Sequence, residues 1–314
     1  MNVRRRRAVG LVAQLIALGG VTYFLVYSAR AHWATVGVAR LEPAWWPLAL
    51  GSALTVAAYL FLVRAWVTSL RWWGERPRYL AALRVWFVSN LARYAPGGVW
   101  QFAGLAALSV EQGMSPVAAT AAVLLQQAVL LATGVALGLA LAPRMLGAWT
   151  AALPAGVLLT FAAALVLGVA LLLPPALPAL ERILTRLVRR PVPWPTPPAR
   201  QFAVYVLALA LPWLAYGLAF WLFARSLLGA GAPGPLFCLA AFTASYVAGI
   251  VAVFAPGGIV VREAALVAAL APRVGAQNAL LLAFGSRLWL VALEVVTALA
   301  IVALWRLARP ASQP

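Results

Sequence analysis

The 314-residue chain contains no lysine and no aspartate, and it has one cysteine, Cys238, and one histidine, His32. A single cysteine excludes an internal disulfide framework, and this inventory offers no cluster at metal-ligand spacing. Without aspartate, metal-dependent glycosyl transfer by paired aspartates is excluded within this chain. Six glutamates are the whole acidic inventory: Glu42, Glu75, Glu111, Glu181, Glu263 and Glu294. The sequence therefore predicts no metal site, no cofactor and no conventional catalytic residue. Charge of either sign is scarce, at 10% of residues against 65% hydrophobic, where a soluble domain carries about 25% charged and about 45–50% apolar. Too few polar side chains remain to cover a water-facing surface.

What is present is arginine: all 24 basic residues, for a net charge of +18. They gather at Arg4–Arg7, Arg71–Arg84 and Arg182–Arg200, between apolar runs. That placement follows the positive-inside rule, with anionic headgroups in reach, and does not point to a nucleic-acid partner. The apolar runs fall at about 8–29, 44–70, 79–95, 98–110, 116–142, 147–176, 201–229, 235–255, 258–270 and 277–305. Several exceed the roughly 20 residues that span a bilayer as a helix, and barrel-type alternation is absent. The first run is longer than the 7–15 residues of a signal-peptide core, so it reads as a retained helix.

Two pairs of runs meet at the same break, Pro96-Gly97-Gly98 and Pro256-Gly257-Gly258. Proline removes a backbone donor and glycine frees the backbone, so a helix stops at both places. If each broken pair is a hairpin returning to its own side, every strong arginine cluster falls in the cytoplasm. The resulting fold class is an all-α polytopic membrane protein with six spanning helices and two re-entrant helical hairpins. Both termini are cytoplasmic and the location is the cell membrane. Ala95-Pro96-Gly97-Gly98-Val99 recurs as Ala255-Pro256-Gly257-Gly258-Ile259, 160 residues later. The same register aligns Gln126-Gln127 with Ser286-Arg287. Residues 1–314 thus form one transmembrane domain of two inverted-topology repeats, about 1–145 and 146–314, an architecture of transporters.

Asn90-Leu91-Ala92-Arg93-Tyr94-Ala95-Pro96-Gly97-Gly98-Val99-Trp100-Gln101 resembles the membrane domain of lysylphosphatidylglycerol synthases and their stand-alone, flippase-like relatives. So does Pro256-Gly257-Gly258 with Arg262-Glu263-Ala264 and Arg287. The resemblance implies moving or presenting phospholipids or polyprenyl-linked lipids. The lysyl-transferring activity of such synthases belongs to a separate soluble domain, which this sequence has no segment to supply. Relatives often carry a glutamate in the helix after the first break, where this chain has Gln126 and Gln127.

Helices restarting after each Gly-Gly offer free N–H groups and a positive dipole end, a favourable setting for phosphate. Gly97, Gly98, Gly257 and Gly258 are candidate flanks for such a group, with Gln101 and Arg262 as added donors and Arg93 and Trp100 beside the first break. The alternative is that Pro96 and Pro256 with their glycines only make tight turns. Arg262, Glu263, Arg287 and Glu294 lie in apolar runs, where a charge costs roughly 2.5–3.5 kcal/mol on insertion scales and faces a partner or wet cavity. Arg287 and Glu294, seven apart, share a helix face. A Glu263–Arg287 ion pair locking two elements together is the competing reading of those residues, and Glu294 is a candidate proton carrier. Arg64 and Arg84 read as snorkelling residues. The leading expectation is a lipid transporter for an anionic phospholipid or polyprenyl-phosphate lipid. The alternatives are an accessory subunit presenting lipid to a membrane enzyme partner, or a transporter of a small water-soluble anion.

Overall fold

Backbone amides in an apolar medium need partners within the chain, and helices provide them. The computed structural model describes residues 43–94, 100–141, 195, 197–251 and 260–308, and among these the only regular structure is helix. The helices are α1 (Trp45–Leu70), α2 (Tyr79–Leu91), α3 (Trp100–Glu111), α4 (Pro116–Leu141), α5 (Ala199–Ala208), α6 (Leu211–Leu228), α7 (Pro235–Val251) and α8 (Val261–Leu307). Four stretches are long and apolar enough to cross a membrane: Trp45–Trp73, Pro116–Leu141, Ala199–Gly231 and Val261–Leu307. They match four of the six expected spans. The other two, 8–29 and 147–176, lie outside the described residues, as do both Pro-Gly-Gly breaks. With 13 and 12 residues, α2 and α3 each reach only about 20 Å, short of the roughly 30 Å hydrocarbon core.

Proline and glycine place the internal breaks. The expected run 201–229 is interrupted at Leu209–Ala210, just before Pro212. Its ring would clash with the carbonyl four residues earlier, and it has no N–H to donate. Within α8, Pro272 precedes Gly275, whose φ of 80° and ψ of 157° divide the helix into two stretches. Gly113, at φ 72°, makes the matching turn between α3 and α4. Only glycine adopts such backbone geometry without steric cost.

The helices pair reciprocally. Helix α1 lies antiparallel to α6: the Ala44 N–H donates to the Ser226 carbonyl at 2.8 Å, while further along Tyr59 meets Tyr216 with ring centroids 5.9 Å apart. Small residues permit this closeness, since a Cβ on Gly51 would sit 3.1 Å from the Ala219 carbonyl. Helix α2 packs on α8, and α7 packs on α4. Two apolar clusters result, one around Trp66, Phe87 and Phe202, the other around Phe220, Cys238 and Leu282. Tyr216 and Tyr246 touch both.

Loop charges are tied down. The Ser115 N–H, at the start of α4, donates to Glu75 Oε1 at 2.9 Å. Arg84 is tied down as well. Its guanidinium donates to Glu111 at 3.2 Å and lies 4.1 Å from the centroid of the Trp305 ring, so a partner on α3 and an aromatic face on α8 hold it.

Candidate functional site

At the start of α8 the Val260 N–H, one of the helix's orphan donors, donates to Glu263 Oε2 at 2.9 Å. This local bond fixes the first turn and sets Arg262 inward, where only 4% of the residue remains exposed. The guanidinium carbon of Arg262 lies 5.0 Å from the Phe242 ring centroid and 5.3 Å from that of Tyr246, both on α7. Each cation–π contact contributes about 0.5–2 kcal/mol, depending on desolvation. Nε and Nη2 of Arg262 have no hydrogen-bond partner among the described residues.

Arg262 borders a cavity of about 480 Å³, within the range of about 300–1,000 Å³ usual for ligand sites. Arg93, Gln101, Arg287 and Glu294 also line it. The structure thus brings together five of the side chains singled out from sequence, drawn from the end of α2, the start of α3 and both stretches of α8. Two ion pairs cross the site. Arg287 Nη1 is 3.7 Å from Glu263 Oε1, the pair that the sequence offered as the competing reading of those residues. Arg93 Nη2 donates to Glu294 Oε1 at 2.7 Å, a bond between residues 201 apart in the chain. Arg93 Nε also donates to the Asn90 carbonyl at 3.1 Å. With the Asn90 amide turned so that its oxygen meets donors, that oxygen accepts from Trp86 Nε1 at 2.7 Å and Arg93 Nη2 at 3.2 Å.

Three arginines therefore stand against two glutamates, leaving one positive charge uncompensated among the described residues. Alongside aliphatic residues such as Leu62 and Ile250, the wall carries aromatic and amide side chains: Tyr59, Trp86, Trp213, Tyr216, Phe242 and Tyr246, with Asn90 and Gln127. None of these eight was singled out as a site residue from sequence. The repeat register held a signal for some, because Trp86 and Tyr246, Phe102 and Arg262, Gln127 and Arg287, and Leu130 and Leu290 are 160 apart and all line the cavity.

Trp100 stands elsewhere. It is 53% exposed and does not border the cavity, whereas its neighbour Gln101 does. Adjacent residues on a helix point about 100° apart, so only one of them faces inward. Pro96, Gly97, Gly98, Pro256, Gly257 and Gly258 fall outside the described residues. No group of three or more His, Cys, Asp or Glu able to hold a metal occurs among the described residues.

A family model, that of the lysylphosphatidylglycerol synthase TM region, matches residues 10–300. No curated protein and no solved structure matches the chain.

Proposed function

The chain belongs to the lysylphosphatidylglycerol synthase TM-region family, and from that premise we propose that it is a lipid transporter of the cell membrane. The cavity holds the phosphate of an anionic phospholipid or polyprenyl-phosphate lipid, with Arg262 as its first ligand. The single observation that carries this reading is the buried Arg262 guanidinium, with two nitrogens unpartnered among the described residues, facing a cavity inside an apolar protein. A buried donor left without an acceptor costs about 1–3 kcal/mol or more when charged, and a phosphate oxygen removes that cost. Arg93 and Arg287 add field from their ion pairs, and Gln101 adds a neutral donor.

In this proposal the chain is an inverted repeat, and α2–α3 and α7 with the first stretch of α8 are re-entrant hairpins. The antiparallel pairing of α1 with α6, and the reciprocal packing of α2 on α8 and α7 on α4, support it. Rocking of the two halves about the α1–α6 contact exposes the site to each leaflet in turn. Both termini are cytoplasmic. The orientation is tested by single cysteines at positions 112 and 274, in a background where the buried Cys238 is replaced by alanine. Position 112 is expected to label from the cytoplasm and 274 from outside, and the reverse at either site breaks the inverted repeat.

Proteoliposomes carrying fluorescent phosphatidylglycerol test the function. The expected result is protein-dependent leaflet exchange that Arg262→Gln abolishes. No exchange of phospholipid or of polyprenyl phosphate would refute transport. A second reading, lipid presentation to a membrane enzyme, is favoured by the family description itself, which is that of a synthase's membrane region. It predicts co-purification with such an enzyme and binding without exchange.

A further inference from the structure

We infer that the site takes up a proton with each anion it binds: the anion takes Arg93 from Glu294, and Glu294 leaves the pair as the neutral acid. The inference rests on the lipid-transport reading above and adds a coupling ion to it. Arg93 Nη2 donates to Glu294 Oε1 at 2.7 Å, and both residues border the cavity. The partners are unequally accessible, with 30% of the Arg93 side chain exposed and 7% of that of Glu294. An entering anion therefore meets the guanidinium before the carboxylate, and competes with it for the same charge-assisted hydrogen bonds. A carboxylate left buried without its cation is strongly disfavoured, and a proton removes the charge.

Glu263 is the carboxylate that the other two arginines share. Arg287 Nη1 lies 3.7 Å from it, and Arg262 interacts electrostatically with both Glu263 and Arg287. Arg287 and Glu294 stand about 10 Å apart along the helix, and helical side chains lean towards the N-terminus, which carries the Arg287 guanidinium away from Glu294. The other titratable or charged groups on the cavity wall are Tyr59 of α1, Tyr216 of α6 and Tyr246 of α7, with Arg262 and Arg287 of α8. Among the described residues Glu294 is the one carboxylic acid there, and α3 and α4 bring no titratable group. The exchange balances: an Arg93–Glu294 pair, a monoanion and a proton become an Arg93–anion pair and a neutral Glu294. Loading leaves the net charge of the site unchanged, and a pH difference across the membrane then does work on the anion's distribution.

The test titrates the purified full chain, in uncharged maltoside micelles, with phosphatidylglycerol and with water-soluble glycerophosphoglycerol. A phosphodiester keeps its single negative charge near neutral pH, so protons exchanged on binding belong to the protein. Binding heats taken in two buffers of different ionisation enthalpy give the number of protons taken up. The expected result is about one proton per bound lipid and an affinity that falls about tenfold per unit as pH rises from about 6 to about 8, because the bound state holds the extra proton. Glu294→Gln should bind without proton uptake and with an affinity flat across that window, which separates Glu294 from His32, the chain's one histidine. Arg93→Ala combined with Glu294→Gln should likewise take up none, which covers the case in which Glu294→Gln alone does not fold. Lipid binding without proton uptake in the parent chain overturns the inference alone, as does uptake that persists in either folded variant. No binding of either probe overturns the lipid reading together with the inference. Glycerophosphoglycerol binding as tightly as the lipid, with its proton, upholds the coupling and overturns the lipid reading.

Discussion

Helix α4 and the second stretch of α8 occupy matched registers, yet they bring opposite chemistry to the cavity. Where α8 has Arg287, α4 has Gln127. Where α8 has Glu294, α4 has Gly134, and where α8 has Ser286, α4 has Gln126. Each position is filled differently from the opposing half. Glu294 meets Arg93, whereas Gly134 receives the Trp213 indole, so close that a Cβ on the glycine would lie 2.5 Å from Cζ2. Trp213 Nε1 then donates to the Leu130 carbonyl at 3.0 Å and Thr133 Oγ1 at 3.3 Å. The difference teaches that matched positions do different work: α4 makes room for an indole at Gly134, and α8 carries a charge at Glu294. A site built this way has a polarity that its scaffold lacks.

The comparison breaks most severely at the ion pair. Arg93→Ala leaves Glu294 buried, with 7% of its side chain exposed, and should cost about 3–5 kcal/mol, measured by unfolding in detergent. Adding Glu294→Gln to that variant should recover most of the loss, and a double-mutant cycle showing no coupling would refute the pairing. On the opposite side, Gly134→Ala forces Trp213 to move and should cost about 1–3 kcal/mol, seen as a lower midpoint with altered tryptophan fluorescence. Full stability there would show that the indole does not fill the glycine's place. Gln126→Leu is milder. It removes the Nε2 bond to the Leu62 carbonyl at 3.0 Å together with a buried Oε1 that has no partner among the described residues, and the two effects should nearly cancel, within about 1 kcal/mol. Smallest of all, Trp100→Ala should change stability by about 0.5 kcal/mol or less and leave phosphatidylglycerol binding unaltered in the same titration.

Those contrasts also mark what the sequence made legible. Arg262, Arg287 and Glu294 stood out because charges in apolar runs are expensive, and the Glu263–Arg287 pair followed from their neighbourhood. Four long apolar helices appeared where run length placed them. The partner of Arg93 was not legible, because pairing across 201 residues depends on how α2 meets α8. Tyr59, Trp86, Tyr216 and Tyr246 were equally hidden. An aromatic residue on a membrane helix looks the same in sequence whether it faces lipid or a cavity. Trp100 lies beside the motif in sequence yet does not border the cavity, since nearness to a motif does not decide which side of a helix a residue takes.

The Arg93–Glu294 bond has a consequence for the order in which the molecule is made. Arg93 leaves the ribosome 201 residues before its partner, an interval of roughly 10–40 s at about 5–20 residues per second. During that interval the Glu294 carboxylate is not yet there to receive it, although the neighbouring Asn90 carbonyl is. Helix α2 packs on α1 and α3 first and gains its contact with α8 only when the last helix arrives, so the first half of the cavity is finished by the end of the chain.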